Sequence, residues 1–255
     1  MKKLVVGCIA ALGLAACGSE PAHNPGSPPA LEAPTLPMQD AAGNRMEGMG
    51  PPGPNGICTQ DGAWCVLQDG EVRNGANSAG RLPPATEGIS LWPVIVRLAD
   101  SRTALLGVVR TQSQMYSGGD GSSGHLTLYQ FGAGAAREVG VIPLGGVINI
   151  RACFDEDDQK NRLGACGDQY WLVSRIALDE TSAETPRLTL QTEAATFPGA
   201  RSRSADSSAK PPLEQSDLVW ARDETCSFNR VYARGADGLY APNEALPACA
   251  DYLEP

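Results

Sequence analysis

The sequence predicts an all-β domain, an antiparallel β-sandwich or barrel stapled by disulfides, set behind a disordered Pro/Gly-rich tether. Three observations lead there. From residue 57 onward the apolar runs are short, rich in Val, Ile and Leu, and separated by clusters of Gly, Asp, Ser or Pro, the pattern of strands joined by turns. Several runs alternate at period two, the repeat of a strand with one face on a core. Six cysteines, Cys58, Cys65, Cys153, Cys166, Cys226 and Cys249, fall into three close pairs along the chain. An even number so spaced suits a disulfide framework in an oxidising compartment, and nearness in the chain favours 58–65, 153–166 and 226–249 among the fifteen connectivities that six cysteines allow.

Taken in order, residues 17–56 read as a flexible tether, because 18–56 hold nine prolines and seven glycines with almost no aliphatic periodicity. Residues 57–255 then provide about two hundred residues, suited to one domain. Strands are predicted near 89–98, 103–111, 125–131, 136–142, 146–152, 169–178, 186–197 and 226–232, with a less regular pair near 64–73 and a segment at 217–221. Trp92, Val94, Val96 and Leu98 share one parity against Pro93, Ile95 and Arg97, which places Trp92 in the core and predicts one wet face. Leu188, Leu190 and Thr192 alternate with Arg187, Thr189 and Gln191 in the same way. Short loops such as Asp100-Ser101-Arg102 and Gly132-Ala133-Gly134-Ala135 have hairpin length. No amphipathic helix separates the strands, so a parallel α/β sheet is disfavoured. A propeller-like meander stands second to the sandwich or barrel.

The first sixteen residues carry Lys2 and Lys3, then an apolar run from Leu4 to Leu14, then small residues before a cysteine. That is the layout of an export signal. The run has about half the twenty residues that a spanning helix needs. Leu14-Ala15-Ala16-Cys17 resembles the lipobox of bacterial lipoproteins. The resemblance covers the leader alone, and it implies cleavage after residue 16 with Cys17 as the acylated N-terminus. Gly18, rather than Asp, implies sorting to the outer membrane. Two or three acyl chains exceed the single chain whose membrane attachment is marginal.

Loss of residues 1–16 removes Lys2 and Lys3 and no acid, so 20 basic side chains become 18 against 29 acidic ones and the net charge moves from −9 to −11. With no Lys/Arg run longer than Arg201-Ser202-Arg203, nucleic acid is not an expected partner. Other motifs lack their context. Gly119-Asp120-Gly121-Ser122-Ser123-Gly124 has the glycine spacing of a dinucleotide-binding loop, but a strand rather than a helix is predicted to follow, so it reads as a mobile connecting loop. Ser207-Ser208-Ala209-Lys210 runs into two prolines without companion motifs. His23 and His125 are the only histidines, and neither zinc-type cysteine spacing nor a Gly-x-Ser-x-Gly elbow is present.

The most distinctive segment lies between Cys153 and Asp168, where Asp155, Glu156, Asp157 and Asp158 are consecutive. A 153–166 bridge would close the base of a hairpin with an acidic tip. Asp155, Asp157, Asn161, Asp168 and an outward-facing Trp171 form the candidate binding patch, suited to a cation, a glycan or a protein. Asp155 and Asp157 are candidate ligands for calcium in an irregular, low-affinity site, since the EF-hand glycine and bidentate glutamate are missing. The expected function is a non-enzymatic binding or structural role at the cell envelope, with the membrane engaged through the lipid anchor. The alternative is an envelope hydrolase acting on cell-wall glycan or lipid through a carboxylate pair.

Overall fold

A computed structural model describes residues 26–83, 86–132, 135–203 and 210–255. The leader expected to be an export signal, with Cys8, Cys17, His23 and Ser207 to Ala209, lies outside the described residues. The strands are β1 (Met38–Gln39), β2 (Arg45–Gly48), β3 (Ile57–Cys58), β4 (Trp64–Val66), β5 (Glu71–Asn74), β6 (Asn77–Arg81), β7 (Ile89–Leu91), β8 (Val94–Arg97), β9 (Ala104–Tyr116), β10 (Gly119–Gly132), β11 (Ala135–Arg151), β12 (Gly167–Leu178), β13 (Leu188–Phe197), β14 (Ala221–Arg222), β15 (Asn229–Arg234) and β16 (Tyr240–Pro242). Two short helices, α1 (Glu156–Asn161) and α2 (Ala250–Leu253), complete the set. No helix among the described residues is long and apolar enough to cross a membrane.

The large sheet runs β1-β2-β8-β9-β10-β11-β12-β13-β15-β16, with β7 added to β9 and β14 to β13, and its pairings are antiparallel. Strands far apart in this order share one core. Met46, Val96, Leu105, Leu126 and Leu128 pack with Leu178, Leu188, Leu190, Tyr232 and Tyr240. Such packing requires the sheet to fold over on itself as a sandwich. The fold turns where β11 passes from β10 to β12: β11 pairs with β10 along its length but with β12 only from Gly145 to Arg151. Gly145 sits at φ +124°, and a β-carbon there would run into the Leu172 carbonyl, so the bend needs glycine.

The predicted wet face is not wet. Ile95 and Leu106 belong to a second core with Trp64, Val72 and Phe131, while their neighbours Val96 and Leu105 belong to the first. The cover is a separate four-stranded sheet, β3-β4-β5-β6. The alternation at 92–98 gives the parity correctly and hides the fact that a second layer covers the other side. Trp92 packs partly buried against the first core. Pro93, lacking an N–H for the ladder, divides the single strand expected at 89–98 into β7 and β8.

Three further expectations are corrected. The tether expected over 17–56 is structured in part, with β2 filling a sheet position beside β8 and Met46 fully buried. Gly119 to Gly124 is not a connecting loop but the start of β10, paired on both sides. Glycines of β10 and β11 make room: a β-carbon at Gly121 would sit 2.8 Å from the Pro255 Cβ, and one at Gly146 of β11 would collide with the Tyr252 carbonyl, so α2 lies directly on sheet backbone. The segment at 217–221 forms a 3₁₀ turn (Gln215–Asp217) and the edge of β14 rather than a strand of its own.

The disulfides pair as chain proximity predicts, Cys58–Cys65, Cys153–Cys166 and Cys226–Cys249. The first joins directly opposed residues of β3 and β4.

Candidate functional site

The acidic segment folds into a small, self-satisfied unit. Asp155 caps α1, its Oδ1 accepting the Asp158 N–H at 2.8 Å, while Asp158 Oδ2 accepts the Phe154 N–H at 2.9 Å. Carboxylates at a helix start meet unpaired backbone N–H groups, so the crowded charge is relieved by amides and by the exposed Asp157–Lys160 pair. The loop expected as a hairpin tip is therefore a helical turn. Asn161 serves through its backbone carbonyl, which accepts the Leu213 N–H at 2.7 Å. Asp168 is 1 % exposed and ion-paired with the equally enclosed Arg162.

Trp171 is half-buried rather than outward-facing, and its indole N–H donates to the Pro29 carbonyl at 3.1 Å. Asp155 and Asp157 thus stay on the surface while Asp168 and Trp171 are committed elsewhere. The candidate patch does not assemble as one surface. Among the described residues, no group of three or more His, Cys, Asp or Glu side chains is arranged to hold a metal ion.

The site that the fold does build is an apolar cleft between the two sheets. Ile89 and Leu91 of β7 and Val108 of β9 line it from the large sheet, and Ile57, Val66 and Leu82 from the small one. Pro52, Pro83 and several glycines complete the lining, with Gln68 and Ser90 its polar side chains and a volume of about 180 Å³. None of the lining residues is titratable. Its walls come from segments as far apart as Pro52 and Val108, which no local motif announces.

No protein-family model matches the chain, and no characterised protein or solved structure is similar to it.

An ion-pair bridge seats the small sheet on the large one away from the cleft lining. Arg97 of β8 bridges Glu47 of β2 (2.9 Å) and Asp61 of the β3–β4 turn (2.6 Å). Asp61 also accepts from the Thr59 hydroxyl at 2.7 Å and the Ala63 N–H at 3.1 Å. The Thr59 hydroxyl, the Ala63 amide and Arg97 together hold its carboxyl well below the usual carboxylate range. A depressed carboxylate stabilises the fold fully above its unfolded pKa, near 4, and that contribution disappears as pH falls below it towards the folded value. Asp61 is half exposed, so solvent screening keeps the effect small. In an acid titration followed by Trp64 fluorescence, with Trp92, Trp171 and Trp220 replaced by Phe in both chains, the parent should loosen between about pH 4 and pH 2, whereas Asp61→Asn should begin looser and show a flatter profile. Superimposable profiles would show that Asp61 does not seat the small sheet.

Proposed function

We propose that this chain is a lipid-anchored lipoprotein of the bacterial cell envelope, held at the outer membrane through Cys17, whose β domain has a non-enzymatic role: it binds a protein partner that inserts one apolar side chain into the inter-sheet cleft. The observation that carries the reading is the cleft's chemistry. Its lining offers apolar contact and no acid or base, so Ser90 has no partner there to activate its hydroxyl, which suits recognition rather than turnover. At about 180 Å³ it falls below the roughly 300–1,000 Å³ of small-molecule sites and matches a single buried anchor of the kind that dominates protein interfaces. The lipobox-like leader and three disulfides are consistent with export to an oxidising compartment.

The test uses the full chain in its native host with a photoreactive residue in place of Ser90. One discrete adduct is expected in the membrane fraction, lost when Leu91→Asp is added to a chain whose circular dichroism shows that it still folds. Cys17→Ala should release the protein from the membrane pellet. An adduct that survives Leu91→Asp, or membrane retention of the Cys17→Ala protein, would overturn the corresponding half of the reading. Cleavage of cell-wall glycan by the purified full chain would instead favour the hydrolase.

A further inference from the structure

Arg102, Arg137 and Arg234 line one open pocket of about 570 Å³ at the end of the large sheet, together with Asp100, Thr103 and Gln130. They arrive from different places: the β8–β9 turn, the start of β11 and the end of β15. In a chain of net charge −9, three converging guanidinium groups are a local reversal of sign. Eight other arginines sit in ion pairs, whereas among the described residues none of these three has a carboxylate within 4 Å.

Two of the three are held beside each other. The Arg137 Nη2 donates to the Asp237 carbonyl at 2.7 Å and the Arg234 Nε to the Gly238 carbonyl at 3.3 Å, both in the β15–β16 turn. A single point, the place a β-carbon would take on Gly238, lies 3.0 Å from Arg137 Nη1 and 3.2 Å from Arg234 Nη2. Those two nitrogens are therefore no more than about 6.2 Å apart, the sum of the two distances being the upper limit. Backbone carbonyls fix their position without neutralising them. The nearby acids are engaged elsewhere: Asp100 accepts from the Arg102 and Thr103 amides and the Thr103 hydroxyl, and Asp237 accepts from the Leu239 amide. Like charges fixed at this separation repel unless an anion lies between them, and guanidinium forks are the side chains best shaped for oxyanions.

We infer that this pocket is a binding site for a phosphorylated saccharide, with the phosphate between Arg137 and Arg234, and the sugar hydroxyls within reach of Arg102 and Gln130. The volume lies in the range of small-molecule sites. The polar lining suits a hydroxylated body rather than an apolar one. The site is separate from the apolar cleft and stands independently of it.

Calorimetry on the full chain in non-ionic detergent tests the inference, with glucose 1-phosphate, inorganic phosphate and glucose as titrants. Glucose 1-phosphate should bind more tightly than inorganic phosphate, glucose should not bind, and the affinity for glucose 1-phosphate should fall as salt is raised. Arg137→Gln and Arg234→Gln should each weaken it by about tenfold or more, given the strength of charge-assisted hydrogen bonds. Arg102→Gln, which removes no contact that holds the fold, should weaken it less, and Arg110→Gln, outside the pocket, should leave it unchanged. Adding monophosphoryl lipid A to the micelles separates the two sources of such a phosphate: competition assigns the site to a glycolipid headgroup, and undiminished binding assigns it to a soluble sugar phosphate. Absence of glucose 1-phosphate binding, or equal binding by wild type, Arg137→Gln and Arg102→Gln, would overturn the inference.

Discussion

Asp168→Ala should cost the fold about 3–5 kcal/mol, the usual penalty for removing one partner of a buried ion pair. Asp168 and Arg162 are 1 % and 6 % exposed. Arg162 spends its Nε on the Ala165 carbonyl at 2.8 Å and an Nη2 hydrogen on the Asp168 carboxylate. Take the carboxylate away and the guanidinium stays in a dry site with one carbonyl for company. The double variant Asp168→Ala, Arg162→Met removes the stranded charge and should recover much of the loss, because a buried pair contributes less than the breaking of it costs. Urea unfolding of the single and double variants measures both values. A single-variant loss below about 1 kcal/mol, the level of exposed pairs, would mean that water reaches Arg162 and that the pair does not organise the segment between Cys153 and Cys166.

That segment shows what a sequence displays and what it conceals. Four consecutive acids from Asp155 to Asp158 suggest a charge problem awaiting a cation. The capping contacts of Asp155 and Asp158 show that backbone amides answer it, and caps of this kind depend on a helical turn too short to leave a periodic trace. Asp168, on a strand residue whose neighbours alternate normally, carries no mark of being buried. The β class, the antiparallel order and the cysteine pairing were legible because each depends on residues close in the chain. Cys58 and Cys65 face each other across one short hairpin.

Features that depend on a second layer were not legible. Leu105 and Leu106 are adjacent, both essentially fully buried, and belong to different cores. A run buried on both faces loses the alternation that marks one. Gly121 read as loop punctuation because glycine usually is, yet here it and Gly146 give α2 a place against the sheet. Arg45 to Gly48 lies within a proline- and glycine-rich stretch, and four residues are too few for a period to show. The apolar cleft and the arginine pocket are likewise products of topology, assembled from turns and strand ends that the chain keeps apart.

The seat that α2 occupies leads to the second large effect. Cys226–Cys249 closes 23 residues and ties the chain before α2 to the turn ahead of β15. Under it lies a compact core of Ile148, Tyr170, Leu172, Ala194 and Tyr252. Tyr252 meets Tyr170 edge-on at 6.0 Å between ring centres and donates its hydroxyl hydrogen to Asp223 at 2.9 Å. A helix of four residues cannot hold itself, so its place depends on this bridge and on Tyr252. Replacing both cysteines by Ala should therefore lower stability by about 3–4 kcal/mol, the chain-entropy value for a loop of this length. Tyr252→Ala should cost a further amount of similar order, as large aromatic truncations do in cores. In hydrogen exchange, the amides of β10 and β11 beneath α2 should lose protection in the double-Ala variant while those of the small sheet keep theirs, because local opening follows the contacts that close a unit. Uniform loss across both sheets would show that the C-terminal staple holds the whole sandwich shut, and unchanged protection beneath α2 would show that packing alone keeps the helix in place.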